Sequence, residues 1–402
     1  MSLGKNQLFY GDNYEVLQKY IKDESVDLVY IDPPFNSKRN YNQIYNNIGN
    51  EDKAQAQAFV DTWEWNLRAE KDLKEILTGN NFTPQTIDLI IGLEKVLKKG
   101  TLLAYLTSMT LRINEMWRVL KPTGSFYLHC DPTASHYLKL LCDTIFCANR
   151  GGDFKNHLVW QRTSSHNNAN RYGRNNDHLL FYVKDDNKYT FNTVYLDYSE
   201  KHLKNSYRYS DEKGKFASTS LTGAGKSSGE SGLEWRGINP TAQGRHWATP
   251  SWAVIELVGE EKAKQMGVHE KLDLLYDNGL IFFSKNGVPR FKQYLDKMEG
   301  SILQENWTDI SPISSQAKER LGYPTQKPLA LLERIIQASS NEGDTVLDAY
   351  CGCGTTVHAS QKLNRNWIGI DDGKIAIETT KKRLENVNYE FIELSLEKQL
   401  CH

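Results

Sequence analysis

Cysteine is scarce in this sequence: six in 402 residues (Cys130, Cys142, Cys147, Cys351, Cys353 and Cys401) with no C-x-x-C pair, which excludes a disulfide framework and favours reduced thiols. Cys351 and Cys353 with His358 match no usual zinc spacing, so no metal is expected. No apolar run approaches the roughly 20 residues of a membrane span. The opening "MSLGKNQLFYGD" lacks the apolar centre of a secretory signal, and the expectation is a cytoplasmic protein without a membrane partner. Charge of one sign is lacking too. Lys and Arg number 49 against 50 Asp and Glu, which excludes nucleic-acid binding by bulk charge and leaves only local basic patches. Internal repeats are absent. What is present is 39% hydrophobic residues, enough for a core in one large domain or two to three ordinary ones.

The order of elements reads as α/β. Leu8 to Tyr10 is a short strand, Gly11-Asp12-Asn13 a turn, Val16, Leu17, Tyr20 and Ile21 a helical stripe, and Val26 to Ile31 a buried strand. Helical periodicity then runs through Leu120, with "KPTG" as the stop before a strand "SFYLHC". A helix over 134–147 and the runs "HLVW" and "HLLFYVK" continue the alternation, predicting a doubly wound sheet. Between about 185 and 320 the periods fade, and tryptophans stand among basic residues. From "KPLALLERIIQAS" onward the α/β order resumes.

"TVLDAYCGCGTTVHASQKL" places Asp348 at a strand end, Gly352 and Gly354 in a tight turn, and Thr355 in the first turn of a helix. Glycines permit a ligand to approach the backbone where a Cβ would obstruct it. The next strand, "WIGID", ends in Asp371, placed to accept hydrogen bonds from ribose hydroxyls, so a nucleoside ligand is implied. Val357 stands where a third glycine would be, which leans away from a dinucleotide and towards S-adenosylmethionine. The same turn also fits a purely structural strand-to-helix corner. A second glycine cluster, "SLTGAGKSSG", has Ser220 where a phosphate loop requires glycine, and reads as a loop.

The strand "VDLVYI" ends in Asp32-Pro33-Pro34-Phe35. The exocyclic amino nitrogen of a base is a poor nucleophile because its lone pair is delocalised into the ring. Two acceptors on its two hydrogens, the Asp32 carboxylate and the Pro33 carbonyl, would favour a pyramidal nitrogen with an outward lone pair. Proline adds no donor and holds the preceding residue extended, and Phe35 offers a stacking face for an everted base. Standing alone, the tetrapeptide would read rather as a tight turn with Phe35 in the core.

These segments together resemble a known family. "GDN" before "DPPF", then "LKPTGSFYLHCDP", "NDHLLFYVK", "GYPTQKPLALLERII" and "LDAYCGCGTT", are similar in kind and order to the amino-methylating DNA methyltransferases of restriction-modification type, in their permuted beta group. The resemblance implies a Rossmann-like methyltransferase fold with circularly permuted motifs and an inserted target-recognition domain. Residues 1–184 would be the catalytic half, with a helical insertion at about 51–100, 185–320 the recognition region, and 321–402 the cofactor half. It gives the catalytic clamp to Asp32, Pro33, Pro34 and Phe35. S-adenosylmethionine would be held by Asp348, Tyr350, Cys351, Gly352, Gly354, Thr355 and Asp371, with Asp12 near its adenine and Thr325, Gln326 and Lys327 at its methionine end. Ala349 and Tyr350 depart from the family's usual Pro-Phe, but a tyrosine ring still stacks.

An aspartate at the first clamp position goes in the family with adenine, giving adenine-N6 methylation by base flipping and direct transfer; cytosine-N4 chemistry and a non-catalytic DNA-binding subunit are the alternatives. Carbon-5 chemistry is disfavoured because no Pro-Cys pair occurs. Double-stranded DNA is the implied partner, with a cognate restriction endonuclease and a homodimer by analogy. Basic and aromatic residues suggest DNA contacts at Lys38, Arg39, Tyr41, Arg171, Arg174, Arg236, Arg245 and Trp247.

Overall fold

The computed structural model describes residues 6–34, 39–43, 56–61, 63–163, 170, 172–314 and 316–394. The chain divides into two compact units, one of residues 1–194 with 304–402 and one of 195–303.

The first unit is built on a nine-stranded sheet. Numbered in chain order, its strands are β1 (Gln7–Tyr10), β2 (Val26–Ile31), β3 (Leu120–Cys130), β4 (Asp153–Gln161), β5 (Asn176–Val183), β6 (Asn306–Trp307), β7 (Thr345–Asp348), β8 (Asn366–Asp371) and β9 (Glu390–Glu393). In space they run β6-β4-β5-β3-β2-β7-β8-β1-β9. Only β5 is antiparallel to its neighbours, β3 and β4.

All six residues of β2 are buried, as expected of a central parallel strand. Its one charged member, Asp27, has a structural reason. Its carboxylate accepts from Lys121 Nζ on β3 (2.8 Å) and from the Thr345 N–H of β7 (2.9 Å), tying β2 to both neighbours. Successive β2 side chains point to opposite faces. Val29 and Ile31 join the core with helices α1 (Asn13–Tyr20), α2 (Leu67–Thr78), α3 (Pro84–Leu97), α4 (Thr101–Val119) and α5 (Ser135–Cys142). The other face carries Tyr30 in register with Tyr127, whose hydroxyl lies 2.8 Å from Ser339 Oγ at the end of α6 (Leu329–Ser339). The sheet is therefore doubly wound, as the sequence predicts. Helices α7 (Thr355–Lys362) and α8 (Lys374–Arg383) follow β7 and β8.

Two local readings change. "KPTG" does not separate helix from strand: α4 ends at Val119 and the strand begins at Leu120. Leu120 pairs with Val26 and Ser125 with Leu28, so the turn-like residues are absorbed as an irregularity in the ladder, where Pro122 needs no partner. The helix expected over 134–147 is α-helical only to Cys142 and closes in a π-turn over Asp143–Cys147.

The second unit has a four-stranded antiparallel sheet, in the order Ile281–Phe283, Pro289–Tyr294, Gly214–Ser220, Tyr209–Asp211. With helices Ser251–Val258, Glu260–Gln265 and Val268–Asp277 it encloses Trp235, Trp247, Leu272, Leu275 and Phe291. Its span is narrower than the 185–320 window read from fading periodicity, since Asn306–Trp307 pairs with β4 in the first unit. Elements of three to ten residues are too short to display a period.

Candidate active site

A cavity of about 580 Å³ lies in the first unit where β2, β7 and β8 end, with Asp32, Pro33, Asp348, Gly352 and Asp371 in its wall. Carboxyl ends of parallel strands are where such folds bind ligands. Strands β2 and β7 are direct partners (Leu28↔Val346, Val29↔Leu347), so Asp32 and Asp348 leave adjacent strands into the same space.

Gly352 (φ +51°) and Gly354 (φ +74°) adopt the left-handed backbone of the tight turn. A Cβ on Gly354 would lie 2.8 Å from the Thr380 side chain. Gly352 N–H donates to Asp371 Oδ2 and Gly373 N–H to Oδ1, both at 2.8 Å, and each oxygen keeps a second lone pair for a ligand. Burial, reinforced by Asp372, pushes the Asp371 carboxyl up to about 7. Asp348 accepts from Tyr350 N–H at 3.0 Å, and burial pushes it up to about 7 as well. Thr355 is buried in the first turn of α7, and burial raises the thiols of Cys351 and Cys353, so the cysteines of the turn are not nucleophiles.

Asp12 lines the cavity, but its carboxylate is already engaged. It caps α1 by accepting from the N–H groups of Tyr14 (3.0 Å) and Glu15 (3.2 Å), and it pairs with Arg112 Nη2 (2.9 Å) and Arg68. Burial favours its neutral form, but the two guanidinium groups override this and leave its pKa below the usual carboxylate value. Arg112 also donates to Asn13 Oδ1 (2.6 Å), and Asn13 Nδ2 donates to the Ala349 carbonyl beside Tyr350 (2.8 Å). Arg112 and Asn13 were missed from sequence. The available signal was the single basic residue inside the mostly uncharged "LLAYLTSMTLRINEMW" of α4.

The "YPTQKP" segment divides its roles. Thr325 is a non-glycine residue at φ +62°, which only a tightly held turn maintains. Gln326 braces that turn, accepting from Leu321 N–H (2.9 Å) and donating to the Glu319 carbonyl (2.7 Å). Lys327 Nζ pairs with Asp32 Oδ2. Lys327 therefore meets the clamp directly, a contact the sequence did not suggest. Pro33 is buried and Pro34 half-buried beside it.

Phe35, Lys38 and Arg171 lie outside the described residues, as do the side chains of Arg39 and Tyr41, whose backbone forms the strand Arg39–Gln43. Arg174 is exposed. Trp247 must be removed from the DNA-contact set: it is 2% exposed, packed edge-on to Trp235 at 5.9 Å, with Nε1 donating to the Leu233 carbonyl. Arg245 is turned inward onto Thr222 (2.7 Å to Oγ1, 2.8 Å to the carbonyl). Arg236 pairs with Asp273 at 3.1 Å and lies over the Tyr276 ring at 4.0 Å.

The family model described as DNA methylase matches residues 26–382, spanning both the clamp and the glycine turn. The chain belongs to the DNA methylase family. It is 34% identical over 282 residues, 70% of its length, to the Type II methyltransferase M.EcaI of Enterobacter cloacae. To the Type III restriction-modification enzyme StyLTI Mod subunit of Salmonella typhimurium it is 26% identical over 89% of its length. The chain spans 57% and 50% of the lengths of those relatives. Among solved structures, the M1.HpyAVI-SAM complex aligns over 94% of this chain and 98% of its own, at 18% identity and TM-score 0.41. No helix among the described residues is long and apolar enough to cross a membrane.

Proposed function

We propose that the protein is an S-adenosylmethionine-dependent methyltransferase acting on the 6-amino group of adenine in duplex DNA. The observation that carries this reading is the opening of Asp32 and Pro33, at the end of β2, into the same cavity as the Gly352–Gly354 turn and Asp371. The residues fit such a cofactor. Gly352 lines the cavity without a Cβ, Asp371 keeps acceptor capacity for ribose hydroxyls, and the Asp32 and Asp348 carboxyls suit a cationic sulfonium.

S-adenosylmethionine, when bound, supplies an electrophilic methyl group. Asp32 accepts one hydrogen of the target amine and the Pro33 carbonyl the other, directing the nitrogen lone pair outward. The proton that the amine loses on methylation goes to the Asp32 carboxylate. Lys327 holds that carboxylate in place before the amine arrives. Positioning of this kind supplies as much as roughly 7–11 kcal/mol. A covalent route through Cys130 is disfavoured, because that thiol is buried and its pKa is raised by burial.

The test is incubation with duplex DNA and methyl-labelled cofactor, followed by identification of the modified nucleoside. N6-methyladenine is expected. Label on cytosine alone overturns the base assignment, and no label in DNA overturns the reading.

A further inference from the structure

Behind the clamp runs a buried hydrogen-bonded chain that the reaction above does not use. The Tyr30 hydroxyl lies 2.9 Å from His129 Nδ1, and His129 Nε2 lies 3.1 Å from Asp177 Oδ2. All three residues are at most 2% exposed. Asp177 Oδ1 is 3.1 Å from Arg162 Nε, and the Trp160 ring meets His129 edge-on at 6.0 Å. The members come from β2, β3 and β5, and Tyr30 is in the wall of the cavity, two residues before Asp32, which follows the end of β2. The charges of Asp32, Asp348 and Asp177 act on Tyr30, while those of Lys327 and Arg162 act on Asp177.

With the His129 ring neutral, the polarity of this chain follows from its far end. A carboxylate only accepts, so His129 Nε2 carries the hydrogen that faces Asp177. Burial opposes ionisation of Asp177, but the His129 hydrogen bond and the Lys327 and Arg162 charges outweigh it and leave Asp177 below the usual carboxylate range. In the neutral ring Nδ1 is then the acceptor, and its donor is the Tyr30 hydroxyl. With its hydrogen committed to His129, Tyr30 Oη offers only lone pairs to any group that reaches it.

That direction matters for an amine nucleophile. A hydroxyl that donated into the site would bind the nitrogen lone pair and quench it, whereas an acceptor favours the positive charge that grows on nitrogen. We propose that Tyr30 is an electrostatic acceptor beside the amine subsite, its lone pairs facing the charge that grows on nitrogen while Asp32 and the Pro33 carbonyl take the two hydrogens, and that the positioning residues His129 and Asp177 keep it from donating there. The inference rests on the amine-methyltransferase reading, and wild-type transfer to a DNA amine is measured first, so that its absence overturns that reading separately.

The experiment compares single-turnover methyl transfer, at saturating cofactor and DNA, for Asp177→Asn, Tyr30→Phe and the double variant. The side-chain amide introduced by Asp177→Asn can donate to Nε2, moving the ring hydrogen to Nδ1 and turning the Tyr30 hydroxyl into a cavity donor. A wrong tautomer of this kind slows an enzyme by orders of magnitude with geometry intact. Here a roughly 10- to 100-fold loss is expected for Asp177→Asn, and a few-fold loss for Tyr30→Phe. The double variant is expected to be faster than Asp177→Asn alone, because the misdirected hydroxyl has been removed. His129→Gln, whose amide supplies one acceptor and one donor, is expected to stay within about threefold of wild type. Thermal unfolding identifies any variant that fails to fold. A double variant as slow as or slower than Asp177→Asn, or an Asp177→Asn rate equal to wild type, overturns the proposal; a purely structural role gives no such reversal of sign.

Discussion

Lys327 and Asp32, 295 positions apart in sequence, form an ion pair at the mouth of the clamp. Their side chains are 10% and 18% exposed, so the pair is screened far less than a surface bridge. Asp32→Ala should abolish methyl transfer with the fold intact. Lys327→Met removes the partner that orients Asp32 and should lower the single-turnover rate at least tenfold, and stability by roughly 1–3 kcal/mol. Rapid-quench assays and urea unfolding check both; an unchanged rate for Asp32→Ala contradicts the clamp.

Arg112 is a buried cation whose partners, Asp12 and Asn13, anchor the start of α1 and the carbonyl of Ala349. Arg112→Met leaves Asp12 half-compensated by the more exposed Arg68. Loss of a buried pair's partner costs about 3–5 kcal/mol, so the urea midpoint should fall clearly and cofactor affinity with it. Equilibrium unfolding and calorimetric titration with cofactor are the measurements.

Gly354→Ala places a methyl 2.8 Å from Thr380 on a backbone of positive φ. Strain and clash together are expected to cost about 1–3 kcal/mol, and to weaken cofactor binding more than DNA binding. Equal losses of both affinities would show that the turn does not serve the cofactor alone.

Asp348 gives a pH signature. Its carboxyl, raised to about 7 by burial, holds a proton that the unfolded chain has already released near pH 4. The native state therefore binds more protons across that interval, and stability falls as pH rises from about 4 to about 7, then levels. Asp348→Asn should remove its share of this slope, leaving that of Asp371, which burial also raises to about 7, and stabilise the free protein by a few kcal/mol, on the order of the shift, at pH 8. A cationic ligand favours the ionised carboxyl, so cofactor affinity in the wild type should weaken as pH drops below about 7. Denaturation and binding series over pH 5–8 test both statements.

Much of the sheet was legible because β2, β7 and β8 are short apolar runs bounded by turn residues, and their final acids stand where the ligand crevice forms. The strand-end position of Asp32 and the glycine turn were legible for the same reason. Contacts made by long side chains across the sequence were not. The Lys327 ion pair, the Arg112 bridge to Asp12 and the Tyr30–His129–Asp177 chain join residues whose separation carries no local period. Trp247 shows the converse error: an aromatic among basic residues reads as surface, yet its ring closes the core of the second unit.

The placement of β1 bears on how the chain is made. Both its neighbours, β8 and β9, come from residues 366–393, and one neighbour of β2 is β7. A nascent polypeptide three hundred residues long thus presents one apolar ribbon, β1, with no mate to zip against, and a second, β2, with only β3 on one side. Such delayed pairing slows maturation and invites sticking between unfinished copies, so shielding by a chaperone should raise the yield of active molecules.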